Sequence, residues 1–225
     1  MDGVEAGLIE WGVAGRPCAG QTESGDQFCV EAGAPGGKRA LVAVVDALGH
    51  GQEAAAAARI AIATLGKGGA ESPIGLMGNC HQALHGTRGV VMSLAAFRAA
   101  DHTMTWLGVG NVEGILLRRD RQGKPGQEVL LARPGVVGGQ LPGLAASTIP
   151  VARGDLLIFA TDGIREGFAD GANPRHPPQQ TADWILEEFG RETDDALVVV
   201  ARYTGGGQSV AGVPPPPRRP ARHAS

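Results

Sequence analysis

The chain has 225 residues, of which 43% are hydrophobic and 19% charged, and its formal net charge at pH 7 is −3. This balance lacks the basic field on which non-specific nucleic-acid binding depends. No apolar run reaches the length of about 20 residues that a membrane-spanning helix needs, and the N-terminus lacks the pattern of a secretory signal. We therefore expect a cytoplasmic globular protein that binds neither nucleic acid nor membrane.

The composition divides the chain into one domain and a tail. Residues 1–203 contain the apolar runs, and their number suits a single domain. Residues 204–225 are rich in Gly, Pro and Arg and show no apolar period. Such a segment buries too little apolar surface to fold, so we expect a disordered tail.

The first half of the chain predicts three strands followed by two helices. The strands are expected over 8–15, 27–33 and 38–47, where apolar runs are bounded by Gly, Pro and polar turns. A helix is expected over the Ala-rich residues 52–67. A second is expected over 72–86, because Ser72 and Pro73 are typical of a helix start.

Strands dominate the second half. Strands are expected over 90–99, 103–110, 112–120, 127–134, 155–162 and 196–203, with a Gly-rich stretch over 135–146 and a helix over 178–190. The consecutive strands are joined by short turns, which favours antiparallel pairing over a doubly wound parallel sheet. The sequence therefore predicts an α+β fold, an αββα sandwich in which two antiparallel sheets pack face to face and helices flank them.

Four short acidic segments carry the candidate chemistry. They are TESGD ending at Asp26, VVDALGHG around Asp46, FATDGI around Asp162, and the pair Asp194-Asp195 in TDDALVVV. A carboxylate at the end of a buried strand is costly unless a cation neutralises it, and carboxylate oxygens are ligands that Mg²⁺ and Mn²⁺ prefer. We expect a shared metal centre, although each aspartate taken alone also fits a turn or a helix cap.

The order of these motifs is specific. VVDALGHGQEAAAAA, FATDGIREGF and TDDALVVVARY, with ESGD upstream, resemble the metal-dependent serine/threonine protein phosphatases of the PPM superfamily. The D-x-x-G-H-G form and the compact length resemble the bacterial branch, and the chain is most similar to its short, stand-alone RsbX-type stressosome phosphatases. The resemblance covers about residues 5–203.

The resemblance implies a role for each matching residue. Asp46 would bridge two Mn²⁺ or Mg²⁺ ions, and the backbone carbonyl of Ala47 would bind one of them. Asp162 and Asp194 would complete the shell of the other ion. Asp194 is preferred to its neighbour because the first acid of the family's pair is the ligand.

Two further acids have supporting roles in this resemblance. Asp26 matches an upstream acid that holds metal-bound water, and Glu23 is a possible helper. Water activated by the metal would attack phosphorus in one step, without a covalent enzyme intermediate.

The chain departs from the family pattern in three places. Ala47 stands where Gly is usual, so metal binding there requires Ala to adopt the needed backbone angles. Arg16 lies ten residues before Asp26, too far to take over the phosphate-binding role of an N-terminal Arg. The segment between Asp162 and Asp194 is too short for an extensive flap, so substrate choice must come from elsewhere.

His50 follows Asp46 by four residues. Imidazole is the usual general acid near neutral pH, so His50 is a candidate for protonating the leaving oxygen. The alternative is a histidine that organises the loop.

The predicted function is dephosphorylation of phosphoserine or phosphothreonine on a protein, such as a stressosome scaffold component, by a monomeric enzyme. Two alternatives stay open. One is a phosphoprotein-binding module that has lost turnover, which Ala47 favours. The other is a metal-dependent hydrolase of small phosphate esters.

Overall fold

The computed structural model describes residues 7–33, 37–68, 71–120 and 126–205. The predicted tail beyond Gly205 lies outside the described residues. The strands are β1 (Ile9–Arg16), β2 (Asp26–Glu31), β3 (Arg39–Ala47), β4 (Val90–Arg98), β5 (Thr103–Val109), β6 (Glu113–Leu117), β7 (Gln127–Val129), β8 (Ser147–Pro150), β9 (Leu156–Ala160) and β10 (Ala196–Tyr203). The helices are α1 (Gln52–Leu65), α2 (Pro73–Ala83), α3 (Phe168–Gly171) and α4 (Pro178–Phe189).

The ten strands form two antiparallel sheets of five strands each. Sheet 1 has the order β1-β10-β9-β6-β7, and sheet 2 has the order β2-β3-β4-β5-β8. Helices α1 and α2 cover the outer face of sheet 2, while α3 and α4 cover that of sheet 1. The predicted αββα sandwich is therefore confirmed.

Strand periodicity separates the apolar side chains into layers. In β3, Val42 and Val44 face the core between the sheets, whereas Ala43 and Val45 face α1 and α2. Successive side chains of a strand point to opposite faces, so an apolar run such as ALVAVV serves two layers at once. This alternation decides where the acidic residues beyond the strand ends point.

The two helices beside sheet 2 follow the predicted signals. α1 presents a buried row of small side chains, which lets it pack closely on the sheet. At the start of α2, the Ser72 side chain accepts a hydrogen bond from the Gly75 N–H, and Pro73 occupies the first turn. Both features satisfy or avoid donors that a helix start leaves unpaired.

The strand predicted over 127–134 is wrong beyond Val129. The Leu130 N–H still donates to the Gly114 carbonyl in sheet 1, but the Arg133 N–H donates to the Gly108 carbonyl of β5 in sheet 2. The chain thus crosses from one sheet to the other within a few residues, which no regular strand can do. The sequence also gave no signal for β8 or α3, because four residues are too few to show a period.

In the described ranges, no helix is both long and apolar enough to cross a bilayer.

Candidate metal-dependent active site

Asp26 and Asp46 lie directly opposite each other at one end of sheet 2. β2 pairs antiparallel with β3, and the register places the Cα of Asp26 opposite that of Asp46. In the neighbouring pair, the Ala47 N–H donates to the Gly25 carbonyl at 3.2 Å. Because hydrogen-bonded and non-hydrogen-bonded pairs alternate, the two aspartates form a non-hydrogen-bonded pair, whose Cα atoms are typically about 4.5 Å apart.

The two carboxylates continue the inner face of the sandwich. Asp46 has the same strand parity as Val42 and Val44, which belong to the core between the sheets. Asp26 faces Asp46 across the ladder and is only 6% exposed. Directly opposite side chains in a sheet lie on one face, so both acids close the end of the inter-sheet core.

Burial makes these two acids resist ionisation. Together with the charges of Asp26, Asp162, Asp194 and Asp195, it raises the pKa of Asp46 to about 8. Burial also raises the pKa of Asp26 to about 7, against a lowering effect of its hydrogen bond from Thr161. A cation bound between these two opposed carboxyl groups would stabilise their ionised forms.

Asp162 and Asp194 approach the same end of the sandwich from sheet 1. Asp162 follows β9 and Asp194 precedes β10, and these neighbouring strands are antiparallel, so the two residues share one edge. Both are exposed. The Asn111 side-chain amide, in the turn between β5 and β6, donates to Asp162 Oδ2 at 2.8 Å.

Asp195 has a structural role instead. It is 4% exposed, and its two carboxylate oxygens accept hydrogen bonds from the Cys18 and Gly25 N–H groups, both at 2.7 Å. These bonds hold the connection between β1 and β2 against the start of β10. Because both oxygens of Asp195 are engaged, the geometry favours Asp194 as the acid of this pair that is available to a metal.

The loop after β3 carries the last two predicted site residues. Ala47 ends the strand at 1% exposure, and its φ is not among the positive values of the described non-glycine residues. Its backbone path therefore does not require Gly. His50 is exposed on the loop.

Arg88, just before β4, supports this loop. Its Nη1 donates to the Leu48 carbonyl at 3.2 Å, and its Nε donates to Glu53 Oε2 at 3.0 Å. Gly49 in the same loop has φ 81°, a backbone conformation that residues with a side chain rarely adopt.

Sequence reasoning missed Thr161 and Asn111. Thr161 directly precedes Asp162, is 2% exposed, and donates a hydrogen bond to Asp26 Oδ2 at 2.7 Å. A signal for it exists, because Thr161 shares strand parity with the inward-facing Leu157 and Phe159. Asn111 lies in a turn whose sequence gives no such signal. Glu23 forms an ion pair with Arg59 at 2.6 Å, which engages it away from the aspartates.

The donor set fits a hard divalent cation. It consists of carboxylate oxygens and a backbone carbonyl, the ligands of Mg²⁺ and Mn²⁺ rather than of softer metals. Within the described ranges, no three His, Cys, Asp or Glu side chains are close enough together to hold one ion directly. Mg²⁺ usually binds to proteins through one or two carboxylates and keeps several waters.

Comparison with known proteins defines the class. The fold matches solved structures of PP2C-type phosphatase domains. A structure described as the bacterial stressosome, a modular system adapted to control secondary messenger signalling, is 33% identical with a TM-score of 0.77, over 86% of this chain and 99% of that one. RsbX in complex with magnesium is 21% identical with a TM-score of 0.77, over 87% and 96%.

A third match is the catalytic domain of the serine/threonine phosphatase PstP with two manganese ions, 17% identical with a TM-score of 0.59, over 87% of this chain and 98% of that one. The family model of stage II sporulation protein E (SpoIIE) matches residues 36–204. The chain therefore belongs to the SpoIIE family, within the bacterial PPM phosphatases. No curated protein sequence matches it.

Proposed function

We propose that the chain is a protein serine/threonine phosphatase that depends on Mn²⁺ or Mg²⁺. The observation that carries this proposal is the opposed pair of the buried Asp26 and the half-buried Asp46 at the end of the inter-sheet core, two acids whose ionised forms need a cation. Asp162 and Asp194 reach the same edge from the other sheet. The PstP structure with two manganese ions and the RsbX structure with magnesium support the choice of metal.

The chain's own residues divide the work as follows. Asp46 and the Ala47 carbonyl, with Asp162 and Asp194, would hold the ions, and two ions are expected. When bound, the metal supplies a nucleophilic water at neutral pH and neutralises charge on the phosphoryl oxygens. Asp26 orients the attacking water by accepting a hydrogen bond. His50 is exposed in the loop after β3, and its proposed role is to protonate the leaving serine or threonine oxygen.

The proposed substrate is a phosphorylated protein of a stress-signalling system, such as a stressosome scaffold component. The 33% identity to a chain of the bacterial stressosome structure supports this class. The alternative of a binding module without turnover relied on Ala47. That support weakens because the Ala47 backbone does not need the angles that only Gly adopts freely.

The test is phosphatase activity of the purified chain with increasing Mn²⁺ or Mg²⁺ and then with excess chelator. Activity is expected on phosphoserine or phosphothreonine in a stressosome-type protein and on p-nitrophenyl phosphate, and Asp46→Asn and Asp162→Asn should each abolish it. Full activity in both variants, or in excess chelator, would contradict the mechanism. Fast turnover of small phosphate metabolites with no activity on phosphoproteins would favour a small-ester hydrolase.

A further inference from the structure

We infer that Thr161 is a positioning residue that sets the orientation of the Asp26 carboxylate and thereby the arrangement of the metal centre. This inference rests on the proposed function. Thr161 lies between β9 of sheet 1 and Asp26 of sheet 2, so its hydroxyl joins the two sheets at the candidate site.

The direction of the hydrogen bonds at this hydroxyl is fixed by chemistry. The Leu197 N–H, which can only donate, points to Thr161 Oγ1 at 2.9 Å. The single hydroxyl proton is then available to an acceptor, and Asp26 Oδ2 lies nearer, at 2.7 Å, than the Leu197 carbonyl at 3.4 Å. Thr161 therefore donates to a carboxylate oxygen that carries no proton.

This bond uses one oxygen of Asp26 and leaves the other for the site. Asp26 is 6% exposed, and in the described part of the chain the hydroxyl of Thr161 is the hydrogen-bond donor to its side chain. With Oδ2 held by Thr161, rotation of the carboxylate is restricted. Oδ1 is then kept available to accept a hydrogen bond from the attacking water.

Thr161 also links Asp26 to Asp162, a proposed metal ligand. Thr161 is attached by its N–H to the Leu197 carbonyl at 3.0 Å, so its backbone and its hydroxyl are both bound to β10. Asp162 follows immediately in the chain. The position of Asp26 in sheet 2 is thus tied through one side chain to Asp162 in sheet 1. Threonine suits this task because its β-branch restricts χ1.

The experiment compares three single substitutions. Thr161→Val keeps the shape and removes the hydroxyl, Thr161→Ser keeps the hydroxyl, and Thr181→Val removes a similarly buried hydroxyl in α4, where Thr181 is 3% exposed. Isothermal titration calorimetry measures the Kd for Mn²⁺, and kinetics on p-nitrophenyl phosphate give kcat and KM. Substitution of a residue that hydrogen-bonds to a metal ligand typically lowers metal affinity or activity by about 10–100-fold.

We expect Thr161→Val to raise the Kd for Mn²⁺ and to lower kcat, each by about tenfold or more, with KM nearly unchanged. Thr161→Ser should restore most of both, and Thr181→Val should change neither. If Thr161→Val does not fold, Thr161→Ala makes the same test without a methyl group against the carboxylate. Melting temperatures of all variants show how much of any effect is loss of folding.

A double-mutant cycle with Asp26→Ala tests whether Thr161 acts through Asp26. In the Asp26→Ala background, Thr161→Val should have little further effect on the Kd for Mn²⁺ or on kcat. Additive effects, or a Thr161→Val variant that binds Mn²⁺ and turns over like Thr181→Val, would overturn the inference. A wild-type chain that neither binds Mn²⁺ nor hydrolyses phosphate would instead count against the proposed function itself.

Discussion

A buried carboxylate lies near each end of strand β9, and its surroundings differ at the two ends. Before β9, Asp155 is 2% exposed and accepts hydrogen bonds from Arg118 Nη1 at 2.7 Å and from the Ala152 N–H at 3.0 Å. The buried Arg118 also pairs with Glu128. Beyond the other end of β9, Asp26 and Asp46 lie opposite each other in the candidate site. The charged neighbours that shift their pKa values are all aspartates, and none is a Lys, Arg or His.

The Asp155 end shows that this fold can neutralise a buried acid with a side chain of its own. Asp155 and Asp162 are seven residues apart along one nearly extended strand, about 20 Å. At the Asp155 end, a guanidinium and backbone N–H groups of the protein donate hydrogen bonds to the carboxylate and offset its charge. At the other end, the proposed Mn²⁺ or Mg²⁺ would neutralise the acids. Four predictions test this contrast and the residues of the site.

The largest loss of stability from a single substitution is expected where the cation belongs to the protein. Arg118→Met should lower the free energy of unfolding by about 3–5 kcal/mol, because it leaves the buried Asp155 without its cation and Glu128 without its partner. Urea denaturation with and without Mn²⁺ measures it. Arg98→Met is the matched control, since Arg98 pairs with Asp101 at an exposed site. An equal loss of stability in the two variants would remove the contrast between the ends.

The second prediction concerns the exposed imidazole at the site. We expect His50→Ala to lower kcat on a phosphoprotein by about 100-fold and to change the pH profile, because a general acid contributes about that much. His85→Ala, at an exposed histidine just beyond α2, is the control and should leave both unchanged. If kcat and its pH profile are also unchanged in His50→Ala, the catalytic role of His50 is lost.

The third prediction follows from the raised pKa values of Asp26 and Asp46. In the unfolded chain these carboxyls ionise near the ordinary pKa of 3.8, whereas in the folded chain they retain protons up to about 7 and about 8. The folded state binds more protons between these values. The contribution of these two acids to the free energy of unfolding of the metal-free protein should therefore be most favourable below about pH 4 and should fall as the pH rises to about 8.

Asp46→Asn provides the matched measurement for this pH dependence. It removes one of the two charges, so the metal-free variant should be more stable than the wild type at pH 8. It should also lose less stability between pH 4 and pH 8, since each unit of pKa shift corresponds to about 1.4 kcal/mol. Calorimetric melting in chelator at several pH values measures it, and added Mn²⁺ should stabilise the wild type more than the variant. A metal-free wild type whose stability rises over this range would contradict the sign.

The smallest effect is expected at Ala47. Ala47→Gly should lower the free energy of unfolding by about 0.5–1 kcal/mol, because glycine in a strand loses more conformational freedom on folding. The Kd for Mn²⁺ should stay within about twofold, since the Ala47 backbone already follows an ordinary strand path. Urea denaturation and calorimetry measure the two quantities. A large gain in Mn²⁺ affinity would show that alanine does limit the site.

The sequence predicted the layered fold because its strands carry strong local signals. The run around Val42 and Val44 and the Ala-rich α1 could each be assigned from period and composition alone. The crossing after Val129 could not, because it depends on the Gly108 carbonyl of another sheet. Local patterns do not record which distant strand offers a hydrogen bond.

The site divides in the same way. The positions of Asp46 and Asp162 at strand ends follow from the sequence, and the structure brings both to one end of the sandwich. The direct register of Asp26 with Asp46 and the hydroxyl bridge of Thr161 required the paired strands themselves. The separate use of Asp195 was also hidden, since a pair of adjacent acids does not reveal which one turns inward.

Asp195 holds the connection between β1 and β2 through backbone N–H groups, and this leaves the side chains of that connection free to vary. At position 18, Asp195 contacts the backbone N–H rather than the side chain. Every residue except proline supplies that group. Substitutions at Cys18 that avoid proline therefore preserve this attachment, so the segment beside the aspartates can acquire new side chains while its main-chain path is maintained.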